Sequence, residues 1–149
     1  MVAWTRTQQV PGKLGANLTH THPIRVYYED TDFSGVVYHA SYLRFMERGR
    51  TEFLRALGLD QGVQHADTGL GFAVRAMQIE FLRPARMDDL LSVETTAPEI
   101  GGATIRMHQR VLRGAQVLVT AQVRLAVLRH GRAARLPPEL RALFLGAAK

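Results

Sequence analysis

The segment YEDTDFSGVVYH, residues 28–39, joins two different hydrophobic patterns and decides how the whole chain is interpreted. Before it, from Ile24 to Tyr28, apolar and polar residues alternate, which predicts a strand with one buried face. After it, residues 40–57 follow the three- and four-residue spacing of an amphipathic helix. Two carboxylates, a glycine and a histidine therefore lie at the junction of a strand and a helix.

The two aspartates of this junction, Asp30 and Asp32, need compensating donors if they are buried. A helix start supplies backbone N–H groups that have no acceptor within the helix, and the helix dipole adds to their positive potential. Such a helix start also stabilises negative charge that develops on a reacting carbonyl oxygen. A carboxylate beside it indicates hydrolysis or acyl transfer at a carbonyl group.

The same residues also fit a polar loop without chemistry. Asp and Ser side chains often bond to nearby backbone groups in turns, and Gly35 allows a positive φ. Aromatic residues flank this loop on both sides, at Tyr27, Tyr28, Phe33, Tyr38 and Tyr42. So much apolar surface favours a functional loop over one that is merely solvated.

The composition predicts one globular domain. The 149 residues are 46% hydrophobic and 21% charged, and a chain of this length buries about two-thirds of its unfolded surface. There are no cysteines, which excludes disulfides, thiolate catalysis and cysteine-based zinc sites and fits a cytoplasmic location. No apolar run reaches the ~20 residues of a membrane span.

The net charge of +6 favours anionic partners, either nucleic acid or a phosphate-bearing cofactor such as coenzyme A. By itself, the charge fits plain solvation of an arginine-rich surface equally well. The sequence shows no P-loop and no dinucleotide-binding fingerprint. It has no clustered basic tail either, and we expect no nucleic-acid partner. Residues 1–22 have no regular period, so we expect a flexible tail in which His20 and His22 are solvated rather than bound to a metal.

The order of patterns is one strand, one long helix, four strands joined by tight turns, and a short helix from Glu139 to Leu145. It predicts an α+β fold in which one long central helix is wrapped by a five-stranded antiparallel sheet. A shift of the apolar phase near Ala76 and Met77 predicts a β-bulge. Gly49 on the apolar helix face, at a cost of about 1 kcal/mol, predicts close approach of helix and sheet.

Residues 26–43, VYYEDTDFSGVVYHASYL, closely resemble the signature of the hotdog-fold acyl-CoA thioesterases. They are most similar to the 4-hydroxybenzoyl-CoA thioesterase-like branch, in particular its bacterial members associated with the Tol-Pal envelope system. Residues 81–86, FLRPAR, look like the same branch. The resemblance covers roughly Pro23 to Arg129 and implies a single hotdog thioesterase domain over residues 23–149.

The implied activity is hydrolysis of a short- to medium-chain or aromatic acyl-CoA to the free acid and CoA. No cofactor or metal is implied, since coenzyme A is part of the substrate. The resemblance implies that Asp32 is the catalytic carboxylate, either a general base on water or a nucleophile that forms an anhydride. Asp30 is implied to be structural.

The resemblance also assigns three further residues around Asp32. The backbone N–H of His39, at the helix start, is implied to polarise the thioester carbonyl, while its imidazole either assists or only orients. Gly35 is implied to let the turn backbone approach closely, and Tyr38 to line the acyl pocket.

In some members a basic loop holds the coenzyme A phosphates. The corresponding turn of this chain, residues 100–103, reads IGGA and carries no positive charge. We assign this role to Arg132 and Arg135 instead, with Arg83 and Arg86 as the alternative pair. The unpaired edges of the sheet and the resemblance together predict a homo-oligomer, a dimer of dimers. An acyl carrier protein is a candidate partner.

Two other functions stay open. One is a hotdog dehydratase or hydratase on acyl-carrier substrates, which needs a different arrangement of histidine and acid near the helix. The other is a non-catalytic partner in an envelope or lipid-synthesis complex that retains the fold.

Overall fold

The computed structural model describes residues 3–6 and 18–146. Its elements are β1 (Ala3–Arg6), β2 (Leu18–Arg25), a 3₁₀ turn (Tyr28–Asp30), α1 (His39–Ala56), α2 (Gln61–Thr68), β3 (Leu70–Phe81), β4 (Leu90–Ile100), β5 (Thr104–Arg113), β6 (Gln116–Arg129), β7 (Arg132–Ala133) and α3 (Pro138–Gly146). The strands form one antiparallel sheet in the order β1-β2-β4-β5-β6-β3, with β7 beside β6. Among the described helices, none is long and apolar enough to cross a membrane.

The predicted α+β arrangement is confirmed, but the sheet has seven strands rather than five. The additional strands, β1 and β7, are short and lie at the margins of the sheet, so neither has a long alternating pattern. Helix α2 was also not predicted, although Asp60 caps it by accepting from the Val63 backbone N–H at 3.1 Å. An Asp at a helix start and a glycine after its end, here Gly69, are the signals that could have revealed it.

The prediction of a flexible tail through His22 is wrong for residues 3–6, which form β1, and for residues 18–22, which form the first part of β2. The backbone pairs with β4, with His22 opposite Val93 and Ile24 opposite Leu91. His20 is buried rather than solvated, and burial lowers the pKa of both histidines. Strand pairing, not side-chain hydropathy, makes this segment regular. Residues 1, 2 and 7–17 of the predicted tail lie outside the described residues.

The strand predicted from Ile24 to Tyr28 ends early, because β2 stops at Arg25 and Tyr28 begins the 3₁₀ turn. The predicted helix is confirmed within one residue at each end. The predicted bulge lies between Val74 and Ala76, where the register of β3 against β6 shifts.

The core lies between α1 and one face of the sheet. From the sheet it contains Leu91, Val93, Ile105, Met107, Val111, Val119, Val123 and Val127, and from α1 it contains Tyr42, Phe45, Met46, Phe53 and Leu54. Burial of each large apolar side chain contributes about 1.5–3 kcal/mol. This contact therefore determines where α1 lies on the sheet.

Helix α1 comes closest to the sheet at Gly49. A Cβ at this position would lie 2.6 Å from Cγ1 of Val93, so the predicted close approach is confirmed. Val93 is itself fully buried and β-branched, and it has little freedom to move aside.

A buried polar network surrounds this contact and is centred on Gln109 of β5. The Gln109 side-chain amide donates to the Met46 carbonyl oxygen at 2.9 Å and to Thr95 Oγ1 at 3.0 Å. Its amide oxygen accepts from Arg50 at 2.9 Å. Because a buried polar group is costly unless it is bonded, this network favours one position of the helix over all others.

We expect Gly49→Ala to destabilise the protein by about 1–3 kcal/mol, since the added methyl overpacks a rigid contact. Gly62→Ala is the matched control, because its Cβ would meet only an Asp60 oxygen at 3.4 Å. The control should be neutral or stabilising through helix propensity. Thermal unfolding of both variants checks this, and equal or higher stability of Gly49→Ala would contradict it.

Candidate active site

Residues 30–38 form a small hairpin that leads directly into α1. The Asp32 N–H donates to the Val36 carbonyl at 2.8 Å, and the Tyr38 N–H donates to the Asp30 carbonyl at 2.9 Å. The Gly35 N–H closes the tip by donating to the Asp32 carbonyl at 3.0 Å. Asp32 therefore lies at the tip of the hairpin, and the base of the hairpin lies at the start of α1.

Gly35 is needed for its backbone angle. Its φ of 85° lies in the region that residues other than glycine rarely adopt. A Cβ on Gly35 would have no neighbour within 4 Å among the described residues, so its backbone is open at the tip. The close approach implied for Gly35 stays a prediction.

Asp30 is buried and bonded at the base of the hairpin. Its Oδ2 accepts from the Tyr27 N–H at 2.8 Å. Its carbonyl oxygen accepts from the Ser41 hydroxyl at 3.1 Å, in addition to the bond from Tyr38. These contacts tie the 3₁₀ turn to the first turn of α1, which fits the structural role implied for Asp30.

Asp32 is exposed at the tip of the same hairpin. Its Oδ1 accepts from the Ser34 hydroxyl at 2.6 Å and from the Ser34 backbone N–H at 2.9 Å. The bond from the Ser34 hydroxyl is the main cause that holds the pKa of Asp32 below its usual value. Asp32 is therefore a carboxylate at neutral pH.

The start of α1 is open to an anion or a polarised oxygen. Helix α1 begins at His39, the Tyr38 side chain makes no capping bond, and the first turn contains no acidic residue. The Ser41 N–H donates to the Tyr38 carbonyl at 2.8 Å. The two N–H groups before it, of His39 and Ala40, lack an intrahelical acceptor and carry the positive end of the dipole.

Aromatic rings surround this helix start. The His39 ring lies 4.5 Å from the Tyr38 ring and 6.2 Å from the Phe81 ring, measured between centroids. The Phe81 ring is in turn 5.8 Å from the Tyr42 ring. The structure thus brings Tyr38, His39 and the end of β3 together on one side of the hairpin.

The loop after β3 is fixed between the hairpin and the helix. The Ala85 N–H donates to the Tyr42 hydroxyl at 3.1 Å, and the Ala85 carbonyl accepts from the Val37 N–H at 2.8 Å. Both Tyr42 and Ala85 are buried, and Arg86 forms a backbone bridge with Val36. Sequence reasoning did not identify this role of Tyr42, nor the bonds of Ser34, because neither follows from spacing along the chain.

Arg132 and Arg135 lie at the opposite end of the sheet from Asp32 of the same chain. Near the hairpin, the Leu118 carbonyl of β6 accepts from Leu82 and Arg83, whereas Arg132 pairs with Arg129 at the far end of β6. At ~3.3 Å per residue, β6 from Leu118 to Arg129 spans about 36 Å. The structure does not bring these two arginines to the Asp32 hairpin of their own chain.

Arg135 nevertheless supplies positive charge to the turn that has none of its own. A Cβ on Gly102 would lie 3.0 Å from Nη1 of Arg135. Arg141 of α3 donates to the carbonyls of Gly101 at 2.6 Å and Ile100 at 3.4 Å. Sequence reasoning missed Arg141, which reaches this turn only because α3 folds back against the end of β4.

The part of the chain that the structure describes contains no group of three His, Cys, Asp or Glu side chains placed to hold a metal ion. The candidate site contains a carboxylate, a helix start and an aromatic surface. This arrangement can activate water or attack a carbonyl while it stabilises the resulting oxyanion.

Residues 26–144 match the family model described as the thioesterase-like superfamily. The chain belongs to this family. Within it, the chain is 45% identical over 124 residues to the acyl-CoA thioesterase YbgC of Haemophilus influenzae, covering 82% of this chain and 91% of that protein. The resemblance inferred from residues 26–43 is thereby confirmed.

Solved structures of thioesterases share the fold. A probable thioesterase from Bartonella henselae superposes with a TM-score of 0.77 at 46% identity, covering 80% of this chain and 99% of the other. A 4-hydroxybenzoyl-CoA thioesterase in complex with 4-hydroxybenzoyl-CoA gives a TM-score of 0.79 at 20% identity, covering 84% and 97%, and shows similarity of fold alone. The predicted hotdog thioesterase fold is confirmed.

The bond between Tyr42 and Ala85 gives a test of what holds the loop beside this candidate site. Tyr42→Phe leaves the buried Ala85 N–H without its acceptor, so we expect a loss of about 1–3 kcal/mol of stability. Tyr28→Phe is the matched control, because the Tyr28 side chain is exposed. Thermal unfolding compares the two variants, and equal melting temperatures would show that the bond does not hold the loop.

Proposed function

We propose that Asp32 and the start of α1 at His39 carry out the hydrolysis of an acyl-CoA thioester to a free acid and CoA. The protein is a thioester hydrolase of the acyl-CoA thioesterase kind, as its family membership and its named relatives support. One observation carries the assignment of the site. An ionised carboxylate stands at the tip of a hairpin whose second arm runs straight into an uncapped helix start.

In this proposal the substrate carbonyl oxygen accepts from the His39 backbone N–H. The negative charge that develops on that oxygen during attack is stabilised by the helix start, where donors are already oriented. Water adds to the carbonyl carbon, the C–S bond breaks, and CoA leaves as a thiolate that takes up a proton. In one route Asp32 accepts the proton of the attacking water. In the other Asp32 itself attacks the carbonyl carbon and expels CoA as a mixed anhydride forms, and water then hydrolyses the anhydride to the free acid and Asp32. Both routes need Asp32 ionised.

The acyl group lies against the aromatic surface in this proposal. Tyr38 is half-exposed beside His39, and Phe81 is exposed next to both His39 and Tyr42. Gly35 contributes its backbone at the tip beside Asp32. An apolar surface of this kind suits a short- to medium-chain or aromatic acyl group.

A homo-oligomer follows from the edge of the sheet. Strand β3 pairs with β6 on one side only, so its other edge has unpaired N–H and C=O groups within the described chain. A second copy pairing antiparallel along β3 would satisfy them. We propose this contact as the first interface of the predicted dimer of dimers; light scattering of a fully active monomer would contradict it.

Antiparallel pairing of β3 also explains how distant arginines could serve the site. It brings the Phe81 end of one strand next to the Leu70 end of its partner. Leu70 is paired with Arg129, beside the short strand that contains Arg132. The arginine-rich end of one chain therefore lies near the Asp32 hairpin of the other.

The C-terminal arginines form a cationic cavity suited to phosphates. It has a volume of about 610 Å³ and is lined by Arg129, Arg135 and Arg141, with Glu139 as its acidic member. None of these three arginines takes part in a salt bridge among the described residues. Arg132 is not part of this lining, but in β7 it pairs with the lining residue Arg129. We propose that Arg132 and Arg135 of one chain hold the coenzyme A phosphates of a substrate whose thioester reaches Asp32 of the partner.

The finer parts of the functional assignment stay predictions. These are the cytoplasmic location, the absence of a cofactor, an acyl carrier protein as partner and a link to the Tol-Pal system. A panel of acyl-CoAs and matched acyl-carrier thioesters, assayed by thiol release, tests the activity and ranks the carriers and acyl groups. Thiol release from no member of the panel would overturn the proposed function and favour a hydratase or a non-catalytic partner.

Asp32→Asn should lower kcat by at least about 10²-fold, because an amide neither accepts a proton nor attacks. His39→Ala keeps the backbone N–H, so kcat should fall by less than about tenfold if the amide is the main contribution. Both variants should melt near the wild-type temperature, since both side chains are exposed. Turnover of Asp32→Asn close to wild type would overturn the assignment, and a loss in His39→Ala equal to that of Asp32→Asn would assign chemistry to the imidazole.

Replacing both Arg132 and Arg135 by Ala should raise KM more than it lowers kcat, because phosphate contacts bind substrate and transition state alike. Heterodimers of this double arginine variant with an Asp32→Asn chain, isolated through a different tag on each chain, should regain sites of normal KM. In such dimers the intact Asp32 of one chain meets the intact arginines of the other. No recovery, or a larger KM effect from Arg83→Ala with Arg86→Ala, would move the phosphate contacts to the same chain as Asp32.

A further inference from the structure

Ser34 makes two bonds to the carboxylate proposed to do the chemistry. Its hydroxyl and its backbone N–H both donate to Oδ1 of Asp32, at 2.6 Å and 2.9 Å. The first distance is that of a charge-assisted bond between a hydroxyl and a carboxylate. Asp32 is otherwise exposed. The backbone N–H groups of Val36 and of Asp32 itself contribute less than Ser34 to its lowered pKa, and both bonds given above to Oδ1 come from Ser34.

We propose that Ser34 is the positioning residue of Asp32: it holds Oδ1 with two donors and thereby presents Oδ2 to water or to the thioester carbonyl. The inference rests on the proposed function of Asp32 and specifies which oxygen reacts. An exposed carboxylate rotates freely about its Cβ–Cγ bond, and a reacting atom that is misplaced by about 1 Å costs up to 10²-fold in rate. Two donors on one oxygen remove that freedom.

A purely structural role of the Ser34 hydroxyl does not account for the geometry. The hairpin is already closed by backbone bonds, from Asp32 to Val36, from Gly35 to Asp32 and from Tyr38 to Asp30. The hydroxyl adds no contact between the two arms of the hairpin. Its bond goes to the side chain at the tip.

The Ser34 hydroxyl also favours the ionised form of Asp32, because a bond to a carboxylate stabilises its charge. Without the hydroxyl the pKa of Asp32 should rise toward its usual value. Activity that depends on the carboxylate is lost as pH falls through this pKa, so the acid limb of the pH–rate profile should move to higher pH. The charged and titratable groups on the neighbouring elements, Glu29, Asp30, His39 and Arg86, are unchanged in Ser34 variants.

The experiment compares Ser34→Ala, Ser34→Thr and the matched control Thr31→Val. Ser34→Ala removes the hydroxyl bond but keeps the backbone N–H bond, and Ser34→Thr restores a hydroxyl. Thr31 is in the same hairpin and donates its hydroxyl to the Tyr28 carbonyl at 2.7 Å, so its replacement removes a loop bond that does not involve Asp32. Each variant is assayed for kcat, KM and the acid limb on the best acyl-CoA of the panel.

We expect Ser34→Ala to lower kcat by roughly tenfold with KM unchanged, less than the loss in Asp32→Asn. The acid limb of its pH–rate profile should move to higher pH. Ser34→Thr should return both kcat and this limb toward their wild-type positions. Thr31→Val should leave the acid limb where it is in the wild type. An acid limb of Ser34→Ala that coincides with wild type, or that moves equally in Thr31→Val, would overturn the inference.

Carbon NMR titration of the Asp32 carboxyl supplies a readout that needs no turnover. The midpoint in Ser34→Ala should lie above that of wild type, and an unchanged midpoint would overturn the inference even in an active enzyme. Conversely, a wild-type protein that hydrolyses no thioester but shows the shifted midpoint in Ser34→Ala would overturn the proposed function, and would leave Ser34 as the residue that holds this carboxylate.

Discussion

The contact of α1 with the sheet at Gly49 is the constraint on which the rest of the structure depends. The helix backbone touches Val93, and Gln109 bonds to the helix carbonyl of Met46 from the same place. Close packing and a satisfied buried network leave the helix a single position. From His39 to Gly49 the helix rises about 15 Å at ~1.5 Å per residue, so this contact also fixes the point at which the helix begins.

The helix start in turn fixes the hairpin and its aspartates. Asp30 and Asp32 are separated by one residue, yet they have opposite environments. Asp30 is buried and bonded to the Tyr27 N–H, whereas Asp32 is exposed at a tip that the backbone itself closes. A rigid support with an exposed carboxylate combines precise placement with access to water, which is what hydrolysis at a carbonyl requires.

A single chain has the proposed catalytic residues at one end of the sheet and a cluster of arginines, Arg129, Arg132 and Arg135, at the other. The unpaired edge of β3 offers a way to bring them together. In the proposed antiparallel pairing of two copies, the Phe81 end of one β3 lies next to the Leu70 end of the other. Oligomerisation is therefore part of how we propose that substrate is bound. In the proposed dimer, one contact pairs an exposed strand edge and also brings arginines for the phosphates to the Asp32 hairpin.

The sequence by itself determined the helix, the glycine of close approach, the position of the bulge to within a few residues and the family. These depend on local periodicity and on a long specific segment, residues 26–43, and both are readable along the chain. Only the tertiary structure decided that residues 18–22 are a strand, since their pairing with β4 depends on partners far away in sequence. It also decided that Tyr42 holds Ala85, that Ser34 holds Asp32, and that Arg132 and Arg135 are remote from the hairpin of their own chain. Hydrogen bonds and distances across a sheet arise from packing, and the order of residues alone does not specify them.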